Sequence, residues 1–106
     1  MSLDHLQALL RTFASERDWQ PFHTPKNLAM ALVVEAGELV ELFQWLTPEE
    51  SVRICDSDAS AQRVKEELAD VLAYLLQLAD VLGIDLEAAL AEKIGLNAVK
   101  YPPPAR

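Results

Sequence analysis

The sequence predicts an all-α protein, a bundle of four helices. Three observations carry that prediction. Apolar residues recur at helical spacing almost from end to end. The segments so patterned are bounded by capping and helix-stopping residues. Only three glycines occur in 106 residues, and no alternating run reads as a strand. Half of the chain is hydrophobic, enough for one core, and a single domain is assigned to residues 1–106.

The elements follow in order. Leu3, Leu6, Leu9, Leu10 and Phe13 form the stripe of a first helix ending near Ser15–Trp19. In the connector "QPFHTPKN", Thr24 reads as an N-cap and Pro25 as the first helical residue. The second helix is expected to run to about Leu46, where Thr47-Pro48 breaks it. "PEESVRICDSDAS" reads as a polar linker with room for one helical turn. A third helix is expected over Ala61–Leu82, stopped by Gly83 at the C′ position. Asp85 caps a fourth, which runs to about Tyr101 and stops at "YPPPAR".

The formal net charge is −8. A surface that acidic disfavours nucleic acid, whose binding rests on cationic contacts to phosphate. A small phosphate-bearing ligand stays compatible with it, because a divalent cation inverts the local field. The lone Cys55 forms no internal disulfide, which fits a reducing compartment. The amphipathic, charged N-terminus carries no apolar signal core, and no apolar run reaches the ~20 residues of a membrane span. A cytoplasmic protein without membrane partners is the expectation.

The stretch "VEAGELVELFQW" holds the chemical clue. On a wheel of about 100° per residue, Glu35 lies among Leu28, Leu32, Leu39, Leu42 and Leu46, with Glu38 one turn on. The opposite face carries Met30, Val33 and Val40, so the bundle or a second subunit should cover it. The third helix repeats the device: Glu67 shares its face with Val64, Val71, Tyr74, Leu78 and Val81, and Asp70 follows at i+3. A single such pair reads as an ordinary solvated face. Two pairs within apolar stripes predict four converging carboxylates, which need cations or protons. All-oxygen ligation suits Mg²⁺, with Mn²⁺ as a substitute. No thiolate or histidine cluster favours zinc, and the Glu-x-x-His pairs of di-iron bundles are missing.

The fourth helix puts Leu86, Leu90, Lys93, Asn97 and Tyr101 on one face. Lys93 is a candidate phosphate partner and Asn97 a candidate reader of a base or sugar; a snorkelling lysine and a capping asparagine are the structural alternatives. Trp19, Trp45 and Tyr74 are placed to stack a base or to fill the core. His23 is a candidate ligand contact or a residue that orders its loop.

Together, "ERDWQPFHTPKNLAMALVVEAGELVELFQW" and "EELADVLAYLLQLADVLGIDLEAALAEKIGLNAVKYP" resemble the MazG-like nucleoside triphosphate pyrophosphohydrolases, most of all the dCTP pyrophosphatase branch. The E-x-x-E and E-x-x-D hallmarks fall on Glu35, Glu38, Glu67 and Asp70. The resemblance implies Mg²⁺ on these four, serving catalysis, and a metal-activated water that splits a triphosphate into nucleoside monophosphate and pyrophosphate. It implies a nucleoside pocket containing Trp19, Trp45, Tyr74 and Asn97, with Lys93 on the phosphate side. It also implies a dimer or tetramer whose sites can draw on more than one subunit. The other readings are a pyrophosphohydrolase of damaged or methylated nucleotides, a metal- or nucleotide-binding sensor, and a structural bundle whose acids pair with Arg63 or Lys93.

Overall fold

The computed structural model describes residues 1–105. It is all-helical: α1 (Leu3–Glu16), α2 (Pro25–Glu41), the single turn α3 (Pro48–Ser51), α4 (Asp58–Leu82) and α5 (Leu86–Lys100). Two 3₁₀ turns, Gln20–Phe22 and Ile54–Asp56, sit in the connections. No strand occurs among the described residues.

Each start has a side-chain cap. Ser2, Thr24, Thr47, Ser57 and Asp85 accept from the backbone N–H three residues on, satisfying donors that a helix start leaves free. Thr47 and Glu50 do so reciprocally, as a capping box. Two stops use the left-handed region. Gly83 takes φ 69° after α4, and Asp18 takes φ 55° after α1. Aspartate is one of the few side chains that tolerates that conformation. The turn lets the Trp19 N–H reach the Ala14 carbonyl at 3.0 Å, which sets where the indole emerges.

The structure corrects two expected bounds. The second helix ends at Glu41, not Leu46: beyond it Leu42, Phe43 and Leu46 donate to carbonyls three residues back, tightening the chain toward Thr47, which Pro48 holds extended. The third long helix begins at Asp58, not Ala61, because Ser57 caps it from within the polar linker.

α4 is the axis of the molecule. α2 packs along it, burying Leu28, while Val64, Leu76 and Ala79 of α4 are also buried. α1 lies on another side, its Ala14 buried. Gln7 Nε2 donates to the Leu76 carbonyl at 2.9 Å, and Arg11 forks onto Asp80 with Nε–Oδ2 of 3.0 Å and Nη2–Oδ1 of 2.7 Å. Both links span 69 residues, so α1 and α4 run in the same direction.

α5 does not close the bundle within one chain. None of its residues is buried, and Leu90, Ile94, Leu96 and Val99 are exposed. The radius of gyration is 17.0 Å, against about 13 Å for a compact domain of this length. Met30, Val33 and Val40 on the outer face of α2 are exposed as well, and so is Val81, expected on the inner face of α4.

Candidate active site

The two glutamate-bearing turns face each other across the α2–α4 contact. Glu35, Glu38 and Glu67 each offer a carboxylate oxygen within 4.8 Å of the others. The i, i+3 spacing puts Glu35 and Glu38 on one side of α2, and burial of Leu28 and Val64 turns that side toward α4. Glu35 and Glu67 are half-buried and Glu38 is exposed. Glu35 Oε2 and Glu67 Oε2 are shut from solvent without a hydrogen-bond partner. Asp70, exposed and one turn beyond Glu67, is close enough that its charge acts on both.

The electrostatics follow from that crowding. Burial first, then the proximity and charge of Glu38, push the Glu35 carboxyl up to about 7. Burial and the charge of Glu38 raise Glu67 as well. No cation relieves them: the one ion pair among the described residues is Arg11–Asp80, away from the cluster. Neither Arg63 nor Lys93 is paired with these acids, so the structural alternative loses its compensating charge. Orphaned, all-oxygen and crowded, this donor set fits a hard divalent cation.

The aromatic candidates are dispersed. Trp19 meets the Phe13 ring edge-on at 5.6 Å and lies 6.0 Å from the His23 imidazole. The Arg17 guanidinium lies over the Phe13 ring, 3.4 Å from its centroid. Tyr74 is half-buried one turn beyond Asp70, and Trp45 is 87% exposed in the turn after α2. Lys93 is exposed and Asn97 half-buried on α5, which packs only weakly on the rest of its own chain. A cavity of about 80 Å³ opens at the α1–α4 junction, lined among others by His23, Gln20, Gln77 and Asp80. Gln77, which the sequence did not single out, stands seven residues after Asp70 and therefore on the same helix face.

The model of the MazG-like family matches residues 30–105, a span that contains all four acids. The chain belongs to the MazG-like family. Among MazG-like relatives, dCTP pyrophosphatase 1 of Homo sapiens is 45% identical over 101 residues, covering 95% of this chain and 59% of its own. The Bos taurus protein of the same name is 44% identical, with 95% and 60% covered. This MazG-like chain thus spans about three-fifths of the length of those curated relatives. A solved pyrophosphatase from Archaeoglobus fulgidus superposes with a TM-score of 0.87 at 40% identity, covering 94% of this chain and 92% of that one. The all-α architecture is therefore shared. No helix among the described residues is long and apolar enough to cross a membrane.

Proposed function

We propose that this chain is a Mg²⁺-dependent nucleoside triphosphate pyrophosphohydrolase. Its substrate is a deoxynucleoside triphosphate, dCTP or a modified relative, and its products are the monophosphate and pyrophosphate. One observation carries the reading: three carboxylates within 4.8 Å, two with orphaned buried oxygens, in a chain similar to dCTP pyrophosphatases.

Glu35, Glu38, Glu67 and Asp70 would hold the metal. When bound, Mg²⁺ neutralises the cluster, polarises phosphoryl oxygens and makes water a better nucleophile. The protein's own residues do the rest. Exposed Glu38 accepts a proton from the attacking water. Asp70 leads along α4 to Tyr74, which with Trp19 and Trp45 offers rings to the base, while His23 orders the rim beside Trp19. A base held there aligns the α-phosphate, so stacking contributes to rate as well as affinity.

Lys93 and Asn97 enter through assembly. The exposed apolar face of α5 seats on a second copy, giving a homodimer or tetramer in which Lys93 balances pyrophosphate charge and Asn97 meets the nucleoside. Residues 1–106 act as one domain, working in the cytoplasm. Its net charge of −8 keeps nucleic acid and anionic membrane away, so the nucleotide is its small-molecule partner.

The test is pyrophosphate release from a panel of canonical and modified triphosphates, with Mg²⁺ and with EDTA. Turnover should require the metal and fall at least ~10²-fold in Glu38→Ala, the order seen when a general base is removed. Tight nucleotide binding without turnover at saturating Mg²⁺ would instead identify a sensor.

A further inference from the structure

The cavity at the α1–α4 junction bears on which base is accepted, an inference that rests on the pyrophosphohydrolase reading. Gln77 lines this cavity with Arg11, Asp80, Gln20 and His23. Its amide orientation is set by the backbone. Gln77 Nε2 donates to the Ala73 carbonyl at 3.1 Å, and since a carbonyl only accepts, the nitrogen must face it. Gln77 Oε1 is therefore the free end, an acceptor with no donor among the described residues. The neighbouring Asp80 carboxylate is engaged through both oxygens by the Arg11 fork, which holds it toward α1.

Position along α4 makes the acceptor relevant. Asp70, Tyr74 and Gln77 lie at i, i+4 and i+7, one stripe of a helix. At 1.5 Å per residue, Gln77 stands about 10 Å beyond Asp70. That is comparable to the reach of a nucleotide from its α-phosphate to the outer edge of its base. A nucleotide with its phosphates at the carboxylate cluster and its ring beside Tyr74 thus presents that edge to Gln77. An exocyclic amine there donates to Oε1, whereas a keto oxygen meets it acceptor to acceptor and leaves both unsatisfied. A cavity of about 80 Å³ suits the edge of a pyrimidine better than a purine.

We propose that Gln77 is a specificity-determining residue: its Oε1 accepts from the 4-amino group of a cytosine-type base and disfavours the 4-keto bases uracil and thymine. dCTP and dUTP differ only along that edge, in the 4-substituent and in N3, an acceptor in cytosine and an N–H donor in uracil, so the ratio of their kcat/KM values reports on how this edge is read. Wild type should prefer dCTP, and Gln77→Leu should shrink the ratio roughly tenfold, as loss of one base-edge hydrogen bond predicts. Gln77→Lys replaces the acceptor with a donor and should shift the preference toward dUTP, which decides the matter if the leucine variant does not fold. A ratio unchanged in a folded variant overturns the inference and leaves the pyrophosphohydrolase reading standing. Wild-type silence on every triphosphate with Mg²⁺ overturns both.

Discussion

Glu35 on α2 and Glu67 on α4 each hold one carboxylate oxygen buried and unpartnered, with Glu38 close to both. Helix packing alone does not require this. The faces that bring Leu28 and Val64 into the core would pack as well around neutral side chains of similar size, and a buried unpaired carboxylate weakens the fold. The chain tolerates a destabilised helix contact whose remedy is a proton or a cation.

The proton remedy sets a pH dependence for the metal-free protein. Glu35 titrates near 7 in the fold against 4.5 as a free side chain, and Glu67 is displaced in the same direction. The native state therefore binds more protons than the unfolded chain between those values, so stability falls as pH rises through that interval. Asp80, lowered by its hydrogen bond to Arg11, works oppositely: its contribution is present above 3.8 and lost as pH falls below that. With EDTA and at fixed protein concentration, the melting temperature should drop by several degrees from pH 5 to pH 8. Glu35→Gln should flatten that slope. A melting temperature that rises across the interval would contradict the site's electrostatics.

The cation remedy is measurable without turnover. A ligand that binds only the native state stabilises it by about 2.7 kcal/mol at a concentration 100 times its Kd. For a domain of this size that is a rise of ~10 °C or more in melting temperature. Mg²⁺ should produce such a rise in wild type, and Glu67→Gln should abolish most of it. Binding should also weaken by up to about tenfold per pH unit below 7, because Glu35 must release its proton first. Titration calorimetry at pH 6 and pH 8 checks this directly, and equal affinity at both would remove Glu35 from the ligand set.

Much of this was legible in the residues, for identifiable reasons. Thr24, Gly83 and Asp85 mark helix ends by local chemistry, and the structure uses all three that way. Glu35 and Glu67 are legible as a pair because a wheel needs only periodicity, and each lies on a core-facing stripe, so that the two converge where those faces meet. The tightening after Glu41 was hidden, because Leu42 and Leu46 continue the apolar pattern while the hydrogen bonding changes beneath it. The departure of α5 was hidden for a deeper reason. Periodicity says that a face is apolar, never which surface covers it, so Leu90 and Ile94 read the same whether they meet α4 or another molecule.

Gly83 gives a test of the stop signal. Its φ is 69°, and a Cβ built there meets nothing within 4 Å. Any cost of Gly83→Ala is therefore conformational and not steric, roughly 1–2 kcal/mol for forcing alanine into the left-handed region. Denaturant midpoints should fall accordingly with the m-value unchanged. No loss at all would mean that α4 ends by some other device.

The exposed stripe of α5 makes the last prediction. Ile94 is 59% and Leu90 62% exposed on a helix with no buried residue, attached to a chain more extended than its length requires. An apolar face of that extent is costly in water, and a second copy is the partner always present at the right concentration. Ile94→Glu removes an apolar contact and introduces a charge whose burial costs several kcal/mol. On the proposed dimer or tetramer it should yield a smaller species in light scattering, while far-UV circular dichroism keeps its helical form. Lys93 is one residue away, so the same variant should lose turnover in parallel with assembly, and more steeply as the protein is diluted. A variant that stays assembled would show that α5 is not the seam, and a fully active monomer would show that Lys93 and Asn97 act within their own chain or not at all.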